Sequence, residues 1–382
     1  MAKFLQDDIS AQEMEQLHTL LDAATREKVL NTFKDTPAFQ QRLAYLRQLD
    51  KKAAWKKVLH KQKRSRRHTW RRRLGYAAAA ALLAIGALYW LTVPKADDRI
   101  VADLVYGYKN DVLPGTTQAE LTLSNGEKVM LRKDSVELQE EDGTRLRSNH
   151  GALQYSAGAL VQQESAILYN TLRVPAAGTF HLRLPDGTGV WLNAASELTF
   201  PVRFSGNERR VELKGEGYFE VAQDAGRPFT VTVNNNEIHV MGTSFNIAAY
   251  SEQHTATTLL SGKVAVAAQG KNIVLKPGQQ AVAVPGSLTV HAADVEAVTA
   301  WKNGYFYFNE TTITGVMEQL SRWYGITVAY HGNISRSVKY GGSISRDAKL
   351  GEVLEQLKTI STLHFHIDGK KLTVSSGPLP KD

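Results

Sequence analysis

Residues 74–93, LGYAAAAALLAIGALYWLTV, carry no charge and directly follow Arg71-Arg72-Arg73. Twenty residues of helix rise about 30 Å, the thickness of a bilayer's hydrocarbon core, so the run predicts a single membrane-spanning helix. The five alanines at 77–81 would also suit a buried helix of a soluble protein, but such a helix keeps a polar side and this run has none. Tyr76 at one end, and Tyr89 and Trp90 at the other, fit an aromatic belt, with Arg71, Arg72 and Arg73 as the charged anchor. A cleaved signal peptide is not expected, because a charged region of 73 residues is far longer than any ordinary leading region.

Charge sets the expected orientation. Fourteen Lys/Arg and one acidic residue, Asp50, lie between Arg42 and Arg73. Lysine and arginine stay on the cytoplasmic side, which predicts a cytoplasmic N-terminus, residues 94–382 in the periplasm, and an inner-membrane location. Residues 1–73 hold eighteen basic and eight acidic side chains, whereas the remainder is slightly acidic. The excess positive charge therefore belongs to the tail. A juxtamembrane anchor against anionic lipid explains it without nucleic acid. No helix-turn-helix pattern, zinc-ligand spacing or RNA-binding aromatic motif accompanies it, so no direct nucleic-acid contact is expected. With no cysteine, the chain has no disulfide, thiol chemistry or thiolate metal site.

The chain divides into residues 1–73, 74–93, 94–293, 294–376 and a tail, 377–382. In the first part apolar residues recur at steps of three and four, which predicts short helices. Their apolar faces carry Leu17, Leu20 and Leu21, then Phe39, Leu43 and Leu46, then Trp55. From about residue 100 the period falls to two. LTLSNGEKVML (121–131) and LRLPDGTGVWL (182–192) each read as strand, Asx-Gly turn, strand, 61 residues apart. Eight further short strands between 210 and 275 predict an all-β sandwich or solenoid-like domain. After Asp294 a 37-residue repeat relates VMEQL (316–320) to VLEQL (353–357), and ITVAY (326–330) to LHFHI (363–367). Each unit reads strand, helix, strand, which predicts a compact α+β domain with two βαβ-like units. The expected fold is thus multi-domain: an all-α tail, one transmembrane helix, an all-β domain and an α+β domain.

Six motifs between 182 and 284 occur in one order: LPDGTGVWLNAASELTFP, GEGYFEV, RPFTV, MGTSFNI, LLSGKVAV and LKPGQQAV. This succession resembles the periplasmic domain of FecR-type anti-sigma factors. The segment from Trp301 resembles the domain that follows it in the Bacteroidota branch of that family. The resemblance implies a cytoplasmic tail that holds an extracytoplasmic-function (ECF) sigma factor. It also implies a periplasmic part that senses the signalling domain of a TonB-dependent outer-membrane transducer, often SusC/RagA-like. On that expectation the sigma factor meets Leu17, Leu20, Leu21, Phe39, Leu43, Leu46 and Trp55. The transducer meets a sheet edge carrying Phe306, Phe308, Ile326, Val328 and Tyr330.

Catalytic and cofactor chemistry has no support in the pattern. His364 and His366 share a strand face, but further ligands are lacking nearby, so no metal site is expected. Gly215-Glu216-Gly217 lacks the Lys-Ser/Thr of a phosphate-binding loop, and Gly242-Thr243-Ser244-Phe245 is not a nucleophile elbow. The chain is read as a non-enzyme without cofactor. Rival readings are a membrane-tethered scaffold or binding protein, and a DNA-binding one-component regulator.

Overall fold

The computed structural model describes scattered positions between Ser10 and Lys57, then residues 99–132, 134–149, 151–156, 167–335 and 337–378. The chain forms two units, Met1–Ala96 and Asp97–Asp382. In the first, the one helix with both ends described is α1 (Ala23–Lys34). The second is mostly strand, with helices α2 (Val295–Thr299), α3 (Ile313–Tyr324) and α4 (Leu350–Thr359).

This corrects the expected fold class of an all-α tail joined to one transmembrane helix. Among the described residues, no helix is long and apolar enough to cross a membrane. At twelve residues, α1 and α3 are the longest, about 18 Å each, well short of a bilayer core. The run at 74–93 lies outside the described residues, as do Arg71, Arg72, Arg73, Tyr89 and Trp90.

Nineteen strands between residues 116 and 292 form one continuous hydrogen-bonded system folded into two layers. The strand Arg209–Glu220 belongs to both. Its first half pairs with Ser196–Pro201 and Phe229–Val233, and its second half with Gly189–Leu192 and Ser244–Ser251. The changeover is at Gly215, with φ of 86°. A Cβ there would lie 2.5 Å from Ser196 Oγ, so both the backbone angle and the close approach require glycine. Alternate residues of the two layers enclose a single core that includes Leu172, Leu198, Phe219, Phe229 and Phe245. Phe219 and Phe245 stack at 5.0 Å across adjacent strands.

Three hairpins turn identically. At Asn125-Gly126, Asp142-Gly143 and Asp186-Gly187 the Asx side chain accepts from the backbone N–H two residues on, and glycine takes positive φ. The side chain thus satisfies a donor that the tight turn leaves open. Asp186 also meets Arg209, both buried, at 2.7 Å. That pair ties a turn of one layer to the start of the shared strand.

The C-terminal unit has its own core, with Ile313, Val316, Met317 and Leu320 on α3 matched 37 residues on by Leu350, Val353, Leu354 and Leu357 on α4. Tyr305–Thr312 pairs antiparallel with Lys339–Ser345. Thr327–His331 pairs parallel with Lys371–Ser375, whose other side takes His364–Asp368. Thr312 caps α3 by accepting from Gly315 N–H, and Gly325 ends it at φ of 63°.

Helix α4 takes its cap from far away. Its own N-cap residue, Lys349, makes no side-chain cap bond. The buried carboxylate of Asp111 accepts from Gly351 N–H at 2.8 Å instead. Residues 99–113 pack along this unit: Val112 enters its core, Tyr108 hydroxyl donates to Glu355, and Asn110 exchanges two hydrogen bonds with Gly369. The segment precedes the β domain in the chain yet completes the C-terminal unit.

Candidate functional site

The two cores of the second unit meet along a polar junction. Ala177 N–H donates to Arg322 carbonyl, Trp301 Nε1 donates to Asn246 Oδ1 at 3.3 Å, and Arg346 Nη2 donates to Asn193 Oδ1 at 3.0 Å. Gly115 lies under Trp323, where a Cβ would come within 2.7 Å of the indole ring. Arg99 Nη1 donates to the Tyr324 carbonyl at the end of α3. Cation, amide and indole groups thus join the β domain to the C-terminal unit at several independent points.

At the centre is Glu216, one residue past the Gly215 changeover. Its carboxylate accepts from Asn193 Nδ2 and Asn246 Nδ2 at 2.8 and 3.1 Å, and shares the Tyr250 hydroxyl, 3.3 Å away, with the Ala194 carbonyl, which is closer at 3.0 Å. The guanidinium of Arg322 lies 3.9 Å over the Tyr250 ring, and that of Arg346 lies 3.7 Å over Trp323. Burial, aided by the nearby Glu216 charge, pushes the Tyr250 hydroxyl far above its ordinary range, so it stays protonated and donates. Beside this network Lys302 lies 4.3 Å over Trp191 and 4.6 Å over Tyr218, and His181 stacks on Trp191 at 4.2 Å. Burial holds His181 below its ordinary value, with Arg183 and Lys302 adding to the shift and Glu220 opposing it. Sequence reasoning missed this junction because its members come from separate stretches of the chain, and the motifs that hold Asn193, Glu216 and Asn246 do not reveal that these side chains converge.

The residues expected to meet a transducer divide sharply. Phe306, Phe308 and Ile326 are buried in the C-terminal core, where Phe306 stacks on Phe308 at 6.1 Å and on Tyr324 at 6.2 Å. Their period of two points them inward against α3, so these side chains are not presented at a surface. Val328 is half-buried against the same core, and Tyr330 is exposed. Among the described residues, Thr327–His331 pairs on one side alone. Leu17, Leu20, Leu21, Phe39, Leu43, Leu46 and Trp55 lie outside the described residues. Among the described residues, no group of three or more His, Asp or Glu is placed to hold a metal ion.

Residues 170–265 match the family described as FecR protein, and residues 305–374 match the family described as FecR, C-terminal. Two crystal structures of a candidate anti-sigma factor from Parabacteroides distasonis ATCC 8503, at 1.65 and 2.50 Å, are similar to the chain. Each is 29% identical with a TM-score of 0.51 over 55% of this chain, and they are covered over 99% and 100% of their own lengths. No curated protein matches the chain at a significant level. The junction described above therefore lies between a stretch that matches the FecR protein family and a later one that matches the FecR C-terminal family, in the order in which the chain carries them.

Proposed function

We propose that this protein is an anti-sigma regulator that binds an ECF sigma factor through residues 1–73 and relays a signal from a TonB-dependent outer-membrane transducer. The observation that carries the reading is the ordered pair of FecR and FecR C-terminal domains, together with the likeness to a candidate anti-sigma factor. A regulatory, non-enzymatic role agrees with it. The location that fits is the inner membrane, with the basic run between Arg42 and Arg73 facing the cytoplasm.

On the transducer side, a SusC/RagA-like or related signalling domain would add a strand along Thr327–His331, using backbone groups and the exposed Tyr330 rather than Phe306 or Phe308. On the sigma side, apolar helix faces carrying Leu17, Leu20, Leu21, Phe39, Leu43, Leu46 and Trp55 would form the contact. The test is co-purification of the full chain with sigma factors of the ECF class, wild type against Trp55→Ala. Truncating a desolvated Trp at an interface costs about 2 kcal/mol, roughly 30-fold in affinity. Undiminished sigma binding by a folded Trp55→Ala chain removes the tail assignment. Retardation of duplex DNA by the same protein, with steep salt dependence, would favour a DNA-binding regulator instead.

A further inference from the structure

The junction encloses a cavity of about 210 Å³ lined by Asn193, Glu216, Asn246, Trp301, Arg322 and Arg346, among others. This is below the roughly 300–1,000 Å³ of pockets for drug-sized ligands, so it suits a small one. Its charges do not balance. Two guanidiniums face one carboxylate, and that carboxylate is already taken by Asn193, Asn246 and Tyr250. Neither Arg322 nor Arg346 makes an ion pair among the described residues, whereas Arg209, buried elsewhere in the same unit, meets Asp186 directly.

Arg346 is 4% exposed, and its polar partners are neutral: Nη1 donates to Trp301 carbonyl and Nη2 to Asn193 Oδ1. Its Nε–H is buried and has no acceptor in the protein. Arg209 also leaves one nitrogen, Nη2, without an acceptor, but it carries its counter-charge and Arg346 does not. A buried cation without a paired anion is costly, and a hydrogen-bonded counter-ion relieves that cost. Burial pushes Arg346 down to about 10; Tyr250, Glu216 and Tyr324 oppose that shift without cancelling it, and the nearby Arg322 charge adds to it.

We propose that this cavity binds a small carboxylate monoanion bearing hydroxyl groups, held between Arg322 and Arg346. The excess of one positive charge matches a monoanion. Planar guanidinium groups suit a carboxylate. The Thr258 hydroxyl in the lining accepts from Gln280 Nε2 and keeps its own O–H to offer to a hydroxyl on the ligand, whereas the amides of Asn193 and Asn246 are already engaged. Because the lining comes from both the β domain and the C-terminal unit, a bound anion fastens one to the other.

Equilibrium dialysis of the full chain with radiolabelled lactate tests this. Propane-1,2-diol, in which an uncharged CH2OH replaces the carboxylate, serves as the neutral competitor. The expected result is saturable binding at one site per chain, displaced by unlabelled lactate, glycolate or acetate but not by the diol. Arg322→Gln should weaken it at least about tenfold, the effect of losing one charge-assisted contact of some 1.5 kcal/mol. Arg322 is only partly buried and caps no helix, so this variant should fold; thermal denaturation checks that it does, and Arg346→Lys serves as a second variant. Absence of saturable binding by all three carboxylates overturns the proposal. So does equal competition by the diol, or unchanged binding by folded Arg322→Gln.

Discussion

The β domain and the C-terminal unit solve the same problem in opposite ways. The β domain satisfies its turns and its buried charge from nearby sequence: Asx side chains close their own hairpins, and Arg209 finds Asp186 only 23 residues away. The C-terminal unit imports what it lacks. Asp111 caps α4 from 240 residues upstream, and Arg346 reaches Asn193 across 153 residues. The contrast predicts that a change at the junction or in residues 99–113 reaches the C-terminal unit before it reaches the β domain.

The largest effect that would sharpen this contrast is at the local ion pair. Asp186→Ala strands the buried Arg209 charge and removes the turn's own acceptor, so stability should fall by about 3–5 kcal/mol in denaturant titration. The companion Asp186→Leu/Arg209→Met chain should recover much of that loss, because uncompensated charge rather than missing contact dominates it. A loss below about 1 kcal/mol for Asp186→Ala would break the contrast.

A smaller effect is expected at the imported cap. Asp111→Ala should cost about 1–2 kcal/mol, and Asp111→Asn, which keeps an acceptor oxygen, distinctly less. Hydrogen exchange should localise the change to α4 and its neighbours. Uniform loss of protection across the β domain would mean that the two regions are not separable in stability.

The smallest effect is one of pH. The Asp294 carboxylate caps α2 by accepting from Ala297 N–H and also accepts from Asn309, and these bonds hold it below the ordinary carboxylate range. A carboxyl that titrates lower when folded stabilises above the unfolded value near 3.9 and loses that contribution as pH falls through the folded one. Acid unfolding followed by circular dichroism should therefore be slightly less steep for Asp294→Asn than for wild type.

Much of the β domain could be read from local pattern. The Asn125-Gly126 and Asp186-Gly187 hairpins form at the 61-residue spacing, and the strand expected at 229–233 is Phe229–Val233. The strand Arg209–Glu220 reads as two in sequence because Lys214-Gly215-Glu216 interrupts its apolar alternation, while the backbone runs on through a bend. The third Asx-Gly turn, at Asp142-Gly143, has the same chemistry but weaker flanking strands. In the C-terminal unit the 37-residue spacing of helix residues was visible, since both copies bury the same positions. Tyr305–Thr312 pairs on one side within a two-stranded sheet, but the alternation that marks Phe306 and Phe308 as a set turns their side chains into the core rather than outward. The junction was invisible for a physical reason: Glu216, Arg322 and Arg346 look like ordinary surface charges until two domains close over them.

The placement of residues 99–113 also bears on how the chain reaches this state. Val112 and Asp111 are made long before the helix they serve, and their contacts have among the greatest sequence separations in the molecule. Loop-closure entropy must be met before such contacts reward it, so this step should lag behind the local hairpins during folding. Until α4 exists, the Asp111 carboxylate and the Val112 side chain wait without their partners, and an unmet apolar group of this kind is what exposes a partly folded chain to misassociation.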